Sequence, residues 1–177
     1  MDREATRASI EHEAKLSAPR TFRIPDLDRV VPTLRAVESR HQVLNAVYFD
    51  TADLSLARAG ITLRHRTGEA SAPWTLKLPV EQSNIALTRD EITFAGPRGR
   101  VPLDAADLVR AFSQSRPLVA IARLHTRRTV IDLRDQQSRL VAEVVDDMVN
   151  VYEGRRVTTC FREVEVEMHI GGHHADK

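Results

Sequence analysis

Five segments of this chain alternate with a period of two, and in each the polar half of the alternation carries charge. In residues 10–16, Ile10, Ala14 and Leu16 share one side, joined by His12, while Glu11, Glu13 and Lys15 occupy the other. Residues 61–66 set Ile61 and Leu63 against Arg64 and Arg66, and residues 74–78 set Trp74, Leu76 and Leu78 against Thr75 and Lys77. Residues 88–94 oppose Ile92 and Phe94 to Arg89, Glu91 and Thr93, and residues 162–168 oppose Val164, Val166 and Met168 to Glu163, Glu165 and Glu167. Successive side chains of a strand point to opposite faces, so these segments read as strands with one packed face and one charged face.

Further strands are expected at 43–50, at 119–133 with a break near His125, at 140–145, and across 149–160 as a hairpin turning at Glu153 and Gly154. Up to eight strands result. Residues 26–39 carry Leu27, Val30, Val31, Leu34 and Val37 at helical spacing behind Pro25 and a potential Asp26 cap, which predicts a helix. A short helical turn over 53–59 ends at Gly60, and a third helix is expected over 104–113 with Leu108 and Phe112 on one face. Residues 96–102 form a loop rich in Gly, Pro and Arg, and 171–177 a polar tail.

An open antiparallel sheet could turn its charged face to solvent. Two features favour a different arrangement. Arg64, Arg66, Lys77 and Arg89 gather on central segments, whereas Glu163, Glu165 and Glu167 form an unrelieved acidic row, and like charges side by side repel unless a counter-charge binds them. About eight strands can also close into a barrel whose inside holds one small ligand. The expected fold is therefore α+β but mainly β: an eight-stranded antiparallel closed β-barrel, or tunnel, with a few flanking helices on its apolar outside. Rows of carboxylates suit a hard divalent cation, and Arg and Lys suit phosphoryl oxygens. Both in one cavity point to a metal-bound polyphosphate.

Composition narrows the alternatives. The 26 basic and 25 acidic residues nearly cancel, so whole-molecule attraction to nucleic acid or membrane is not expected, and charge acts only through local segregation. Cys160 is the single cysteine and lies in no metal-thiolate or nucleophile motif. Residues 1–9 have no apolar signal core, and no run reaches the roughly 20 apolar residues of a membrane-spanning helix, from which a cytoplasmic protein is expected. His12, His41, His65, His173 and His174 have no placed Ser or Cys partner for nucleophilic catalysis.

The order Glu11-x-Glu13-x-Lys15, then Leu63-Arg64-x-Arg66, then Lys77, then Glu163-x-Glu165, resembles the CYTH domain, the family of triphosphate tunnel metalloenzymes. The segment Tyr48-Phe49-Asp50-Thr51, followed by Leu54, Leu56, Gly60 and Ile61-Thr62-Leu63-Arg64, is similar to that family's second-strand and turn region. The resemblance covers roughly residues 8–171 and implies a single domain over 1–177 with a polar tail at 172–177. It implies Mg²⁺ or Mn²⁺ as cofactor, held by Glu11, Glu13, Glu143, Asp147, Glu163, Glu165 and Glu167, with Asp146 the alternative to Asp147. It implies phosphate binding by Lys15, Arg64, Arg66, Lys77, Arg89, Arg123 and Arg128, with Glu13 and Lys15 at the centre of catalysis. Arg123 and Arg128 fall on opposite parities, which a bulge near His125 would reconcile.

The expected activity is a metal-dependent triphosphatase acting on inorganic triphosphate or another triphosphate, since one Trp, two Tyr and five Phe leave little surface for stacking a base. Family members also include thiamine triphosphatases and class IV adenylyl cyclases, and some carry an attached helical CHAD domain. A binding module for polyphosphate or nucleotide without turnover, and a purely structural sheet, are the readings from other classes. The expected partner is a triphosphate-containing small molecule or polyphosphate, with neither membrane nor nucleic acid, and the chain as monomer or homodimer.

Overall fold

The computed structural model describes residues 7–69, 73–82 and 87–169 and, within them, the side chains of all but 7–11, 38, 39, 80–82 and 87–89. The tail expected at 171–177, with His173 and His174, lies outside the described residues, as do the side chains of Glu11 and Arg89.

Eight strands dominate: β1 (Arg7–Ala18), β2 (Arg35–Asp50), β3 (Thr62–Thr67), β4 (Trp74–Gln82), β5 (Leu87–Phe94), β6 (Val119–Arg134), β7 (Leu140–Glu153) and β8 (Arg156–Met168). The helices are short: α1 (Leu27–Val30), α2 (Ser55–Arg58), α3 (Leu103–Leu108) and α4 (Arg110–Ser113). None of the helices among the described residues is long and apolar enough to cross a membrane. The strands pair antiparallel in the order β1-β5-β4-β3-β2-β6-β7-β8, and β8 pairs back onto β1, so the sheet curls into a barrel. Strand β1 makes the join in two halves, meeting β5 through Arg7–Glu13 and β8 through His12–Ala18.

The alternation dictates where the apolar residues go. On the outside of β2 to β5, Phe49, Leu63, Trp74, Leu76 and Phe94 pack with Leu56 of α2, Ala105 of α3 and Val109. Trp74 is completely buried, with Phe49 and His65 rings 5.0 and 5.1 Å away and its Nε1 donating to Pro97 O at 3.2 Å. A second outer core unites Leu133, Ala142, Val144 and Val164 with Ile24, Leu27 and Leu34 of the segment that crosses over them. Arg162 fastens that segment, donating to Phe22 O at 2.7 Å while bound through two nitrogens to Asp146. Asp50 is buried where β2 ends and accepts from the backbone N–H groups of Leu56 and Ala57, both at 2.9 Å, which ties α2 to the barrel.

His65 belongs to this outer core, 4% exposed and edge-on to Trp74. Burial, helped by the charge of Arg98, holds its pKa below the ordinary 6.5. The unfolded chain then binds the proton more readily, so folding stability should be complete above 6.5 and decline as pH falls below it. Urea midpoints measured at pH 7.5 and 5.5 check this: His65→Gln should flatten the decline, and an unchanged slope would remove His65 as its source.

Four expectations are corrected. The helix expected over 26–39 is only one turn, α1, because Pro32 lacks an N–H and restricts Val31, after which β2 starts at Arg35 and pairs with β6. The apolar residues there combine two structures, since Leu27 and Leu34 pack from the crossing segment while Ala36 packs outward from β2, and after the register shift between Glu38 and Arg40 the even positions from Arg40 on line the interior. The helix expected over 104–113 is divided into α3 and α4 at Val109, which is wholly buried in the outer core. Strand β6 is unbroken, and 140–145 continues directly into the hairpin arm as β7, since Asp146 and Asp147 simply alternate between outside and inside.

Candidate functional site

The barrel encloses a cavity of about 700 Å³. Strand parity delivers its lining: Glu13 and Lys15 from β1, Arg64 and Arg66 from β3, Lys77 from β4, Arg128 from β6, Asp147 from β7, and Glu163, Glu165 and Glu167 from β8. The register places Glu13 opposite Glu167 and Lys15 opposite Glu165 across β1 and β8, and Asp147 opposite Glu163 across β7 and β8. Carboxylate oxygens of Glu13, Glu165 and Glu167 lie within 4.8 Å of one another, with Glu13 and Glu165 only 3% and 5% exposed. Three carboxylates this close, two of them buried and Glu167 half-buried, repel unless cations neutralise them, so the donor set fits a hard divalent ion.

The bases answer the acids in a definite pattern. Lys15 Nζ sits 2.7 Å from Glu165 and 2.9 Å from Glu163. Arg128 donates through Nε and Nη2 to both Asp147 oxygens at 2.8 and 2.6 Å, and the same Nη2 is 3.7 Å from Glu165. Arg66 clasps Glu69 with two bonds of 2.5 Å, and Lys77 meets Glu91 at 3.2 Å. Burial alone would raise the Glu165 pKa, but Lys15, Arg128 and Lys77 outweigh it and hold the group ionised below the ordinary carboxylate range. Burial likewise opposes the charge on Lys15, and Glu165 and Glu163 more than compensate, raising its pKa.

Arg64 differs from these. Its Nε is buried without a hydrogen-bond partner, and among the described residues no carboxylate forms an ion pair with it. Burial disfavours its charge, yet the phenol of Tyr48 beside it and the more distant Glu69 and Glu91 hold its pKa above the ordinary arginine value. Arg66 has the opposite displacement, lowered by burial and by the charge of Arg64 despite Glu69. The β3 pair therefore concentrates positive charge that the protein's own acids only partly offset.

The CYTH domain profile matches residues 9–172. The chain belongs to the CYTH domain family. CYTH proteins bind triphosphate-containing substrates and depend on metal. The chain is 34% identical over 143 residues to the Mycobacterium tuberculosis proteins called Uncharacterized protein Rv2226 (strain H37Rv) and Uncharacterized protein MT2285 (strain CDC 1551). That alignment covers 81% of the chain but 28% of each relative, so the chain spans little more than a quarter of their length. A crystal structure from Bacillus halodurans, bh2851, named as a candidate adenylate cyclase, superposes with a TM-score of 0.53 at 23% identity, covering 90% of this chain and 81% of that one. HpAC1 from Hippeastrum, named as a candidate adenylyl cyclase with a dominant triphosphatase activity, has a TM-score of 0.46 at 17% identity, covering 89% and 79%. The first of these likenesses supports the CYTH fold.

Several residues stand apart from the expected arrangement. Arg123 is exposed and on the parity opposite to the lining residues Leu124, Thr126 and Arg128. The expected bulge near His125 does not exist: pairing with β7 runs unshifted from Arg123 to Leu133, and the irregularity against β2 falls earlier, opposite Tyr48 and Phe49. Asp147 faces inward to Arg128, while Asp146 faces outward to Arg162. Glu143 is buried opposite Glu167 across β7 and β8, and it is engaged by Arg40 and by His169 Nε2 at 2.9 Å. Glu11 and Arg89 are register partners across β1 and β5.

Sequence reasoning passed over Arg40 and gave Tyr48 no role, although both line the cavity. Parity counted back from Arg64's partner Tyr48 along β2 would have found Arg40, had 26–39 not been read as helix. It also passed over an apolar portion of the lining formed by Leu44, Ala46, Leu124, Val149 and Phe161.

Proposed function

We propose that the barrel cavity binds a triphosphate together with Mg²⁺ or Mn²⁺ and hydrolyses it, inorganic triphosphate being the simplest substrate and phosphate and pyrophosphate the products. The observation that carries this reading is Arg64, a half-buried cation whose Nε is buried without a partner and which has no carboxylate ion pair among the described residues. A buried charge is costly unless a counter-charge reaches it, and a phosphate chain in the cavity supplies one. Glu13, Glu165 and Glu167 would hold the metal, with Glu163 and Asp147 beside them. Lys15, Arg64, Arg66, Lys77 and Arg128 would bind phosphoryl oxygens, the arginines as bidentate forks. Glu11 and Arg89 extend the two sets along β1 and β5. When bound, the metal supplies Lewis-acid charge to the phosphoryl oxygens. The residues themselves align the chain for in-line attack by water and neutralise the charge that leaves with the departing phosphate, which is most of what phosphoryl transfer asks of a protein.

The apolar lining favours a second reading. Leu44, Leu124, Val149 and Phe161 give no hydrogen bond to a phosphate, and they suit an organic group attached to the triphosphate, as in ATP or thiamine triphosphate. Purified protein incubated with tripolyphosphate, ATP or thiamine triphosphate, each with Mg²⁺ or Mn²⁺, separates the outcomes. Phosphate released fastest from tripolyphosphate supports the first reading. Faster release from an organic triphosphate, or cyclic AMP from ATP, supports the second. Tripolyphosphate that raises the melting temperature without any product would identify a binding module.

A further inference from the structure

The groups assigned above to metal and to phosphate are, in the protein itself, one another's counter-ions. Glu165 is the hinge of this arrangement: one oxygen faces Lys15 Nζ at 2.7 Å, and the other faces Arg128 Nη2 at 3.7 Å. The same carboxylate belongs to the close group with Glu13 and Glu167. Lys15 spans further, to Glu163 at 2.9 Å, so a single ammonium already neutralises part of the acidic wall. A divalent cation that takes Glu165 must take it from Lys15, and the displaced ammonium is left next to the incoming positive charge. A polyanion removes that conflict, because it offers Lys15 a new partner at the moment Glu165 is surrendered.

We propose that Lys15 acts as a surrogate cation in the carboxylate site, so that the barrel discriminates against free metal and accepts metal together with a polyphosphate. This rests on the function proposed above and assigns Lys15 a selective role in addition to phosphate binding. It also makes a counterintuitive demand, that removal of a positive residue from a phosphate site improves metal binding.

Calorimetric titration of Mn²⁺ into the wild-type protein, Lys15→Met and Arg66→Met, with no phosphate compound present, tests it. Lys15 is 37% exposed at the side chain, and thermal melts establish that each variant is folded before titration. The expected result is Mn²⁺ affinity about tenfold higher in Lys15→Met, which corresponds to about 1.4 kcal/mol, and little changed in Arg66→Met, whose partner Glu69 is outside the carboxylate group. Equal or weaker Mn²⁺ binding by Lys15→Met overturns the proposal. An equal gain in Arg66→Met also overturns it, because general cavity charge would then be the cause. Repeating the titration with imidotriphosphate should raise Mn²⁺ affinity more in wild type than in Lys15→Met; chelation in solution is common to both proteins and cancels. If imidotriphosphate binds neither protein while the tenfold gain persists, the polyphosphate reading fails and the competition between Lys15 and metal stands.

Discussion

Arg64→Met should abolish most of the turnover while leaving the barrel as stable as before or more so. Loss of one preorganised donor to a developing oxyanion typically costs about 10²–10³-fold in rate. The guanidinium of Arg64 has its Nε buried without a partner, and an apolar side chain of similar length removes that burden from the folded state. The two effects have opposite signs, which separates a site residue from a structural one. Single-turnover phosphate release, paired with a thermal melt, reads both. A variant that melts much earlier, or that still binds and cleaves tripolyphosphate at the original rate, would remove Arg64 from the anion site.

Trp74→Ala tests the other face of the same sheet. Trp74 has no exposed surface, touches Phe49 and His65, and sits beneath the helices that cover β3 and β4. Truncation of a fully buried Trp costs about 3–5 kcal/mol, a large part of the roughly 5–15 kcal/mol that holds a typical domain folded. Urea unfolding should show the midpoint collapse with little change in slope. A loss below about 1 kcal/mol would mean that the outer layer yields easily and that stability resides elsewhere.

Taken together, these two substitutions state what was legible in the sequence. The charged alternation of Glu13 and Lys15, of Arg64 and Arg66, and of Glu163 to Glu167 translates directly into side chains lining one cavity, because each of those segments is a strand without a break in parity. Where the parity changes, the reading fails. Apolar residues from α1, the crossing segment and the start of β2 fall by coincidence at a spacing that imitates one helix, and only the pairing of β2 with β6 reveals a strand from Arg35. Reading 26–39 as a helix hides the start of β2 and with it Arg40, and the inward placement of Arg123 rests on a bulge that the unshifted pairing of β6 with β7 does not contain. Glu143 illustrates a different limit. Its strand position was legible, but its engagement by Arg40 and His169 depends on residues brought together from β7, β2 and the position just after β8. The internal pairing of acids with bases was likewise invisible, since a list of charges does not say which of them meet.

The split pairing of β1 has a consequence for how the molecule is made. Lys15 meets Glu165 and Glu13 meets Glu167 only after a strand from the beginning of the chain has found one from its end. Contacts between such distant residues form slowly, because a large loop must be closed before any of them is gained. During synthesis β1 leaves the ribosome first and waits for β8, with its β5 partner available in the interim. The three carboxylates therefore come together only once β8 has been made and has paired with β1, and a chain truncated before β8 has part of the site's residues without the site.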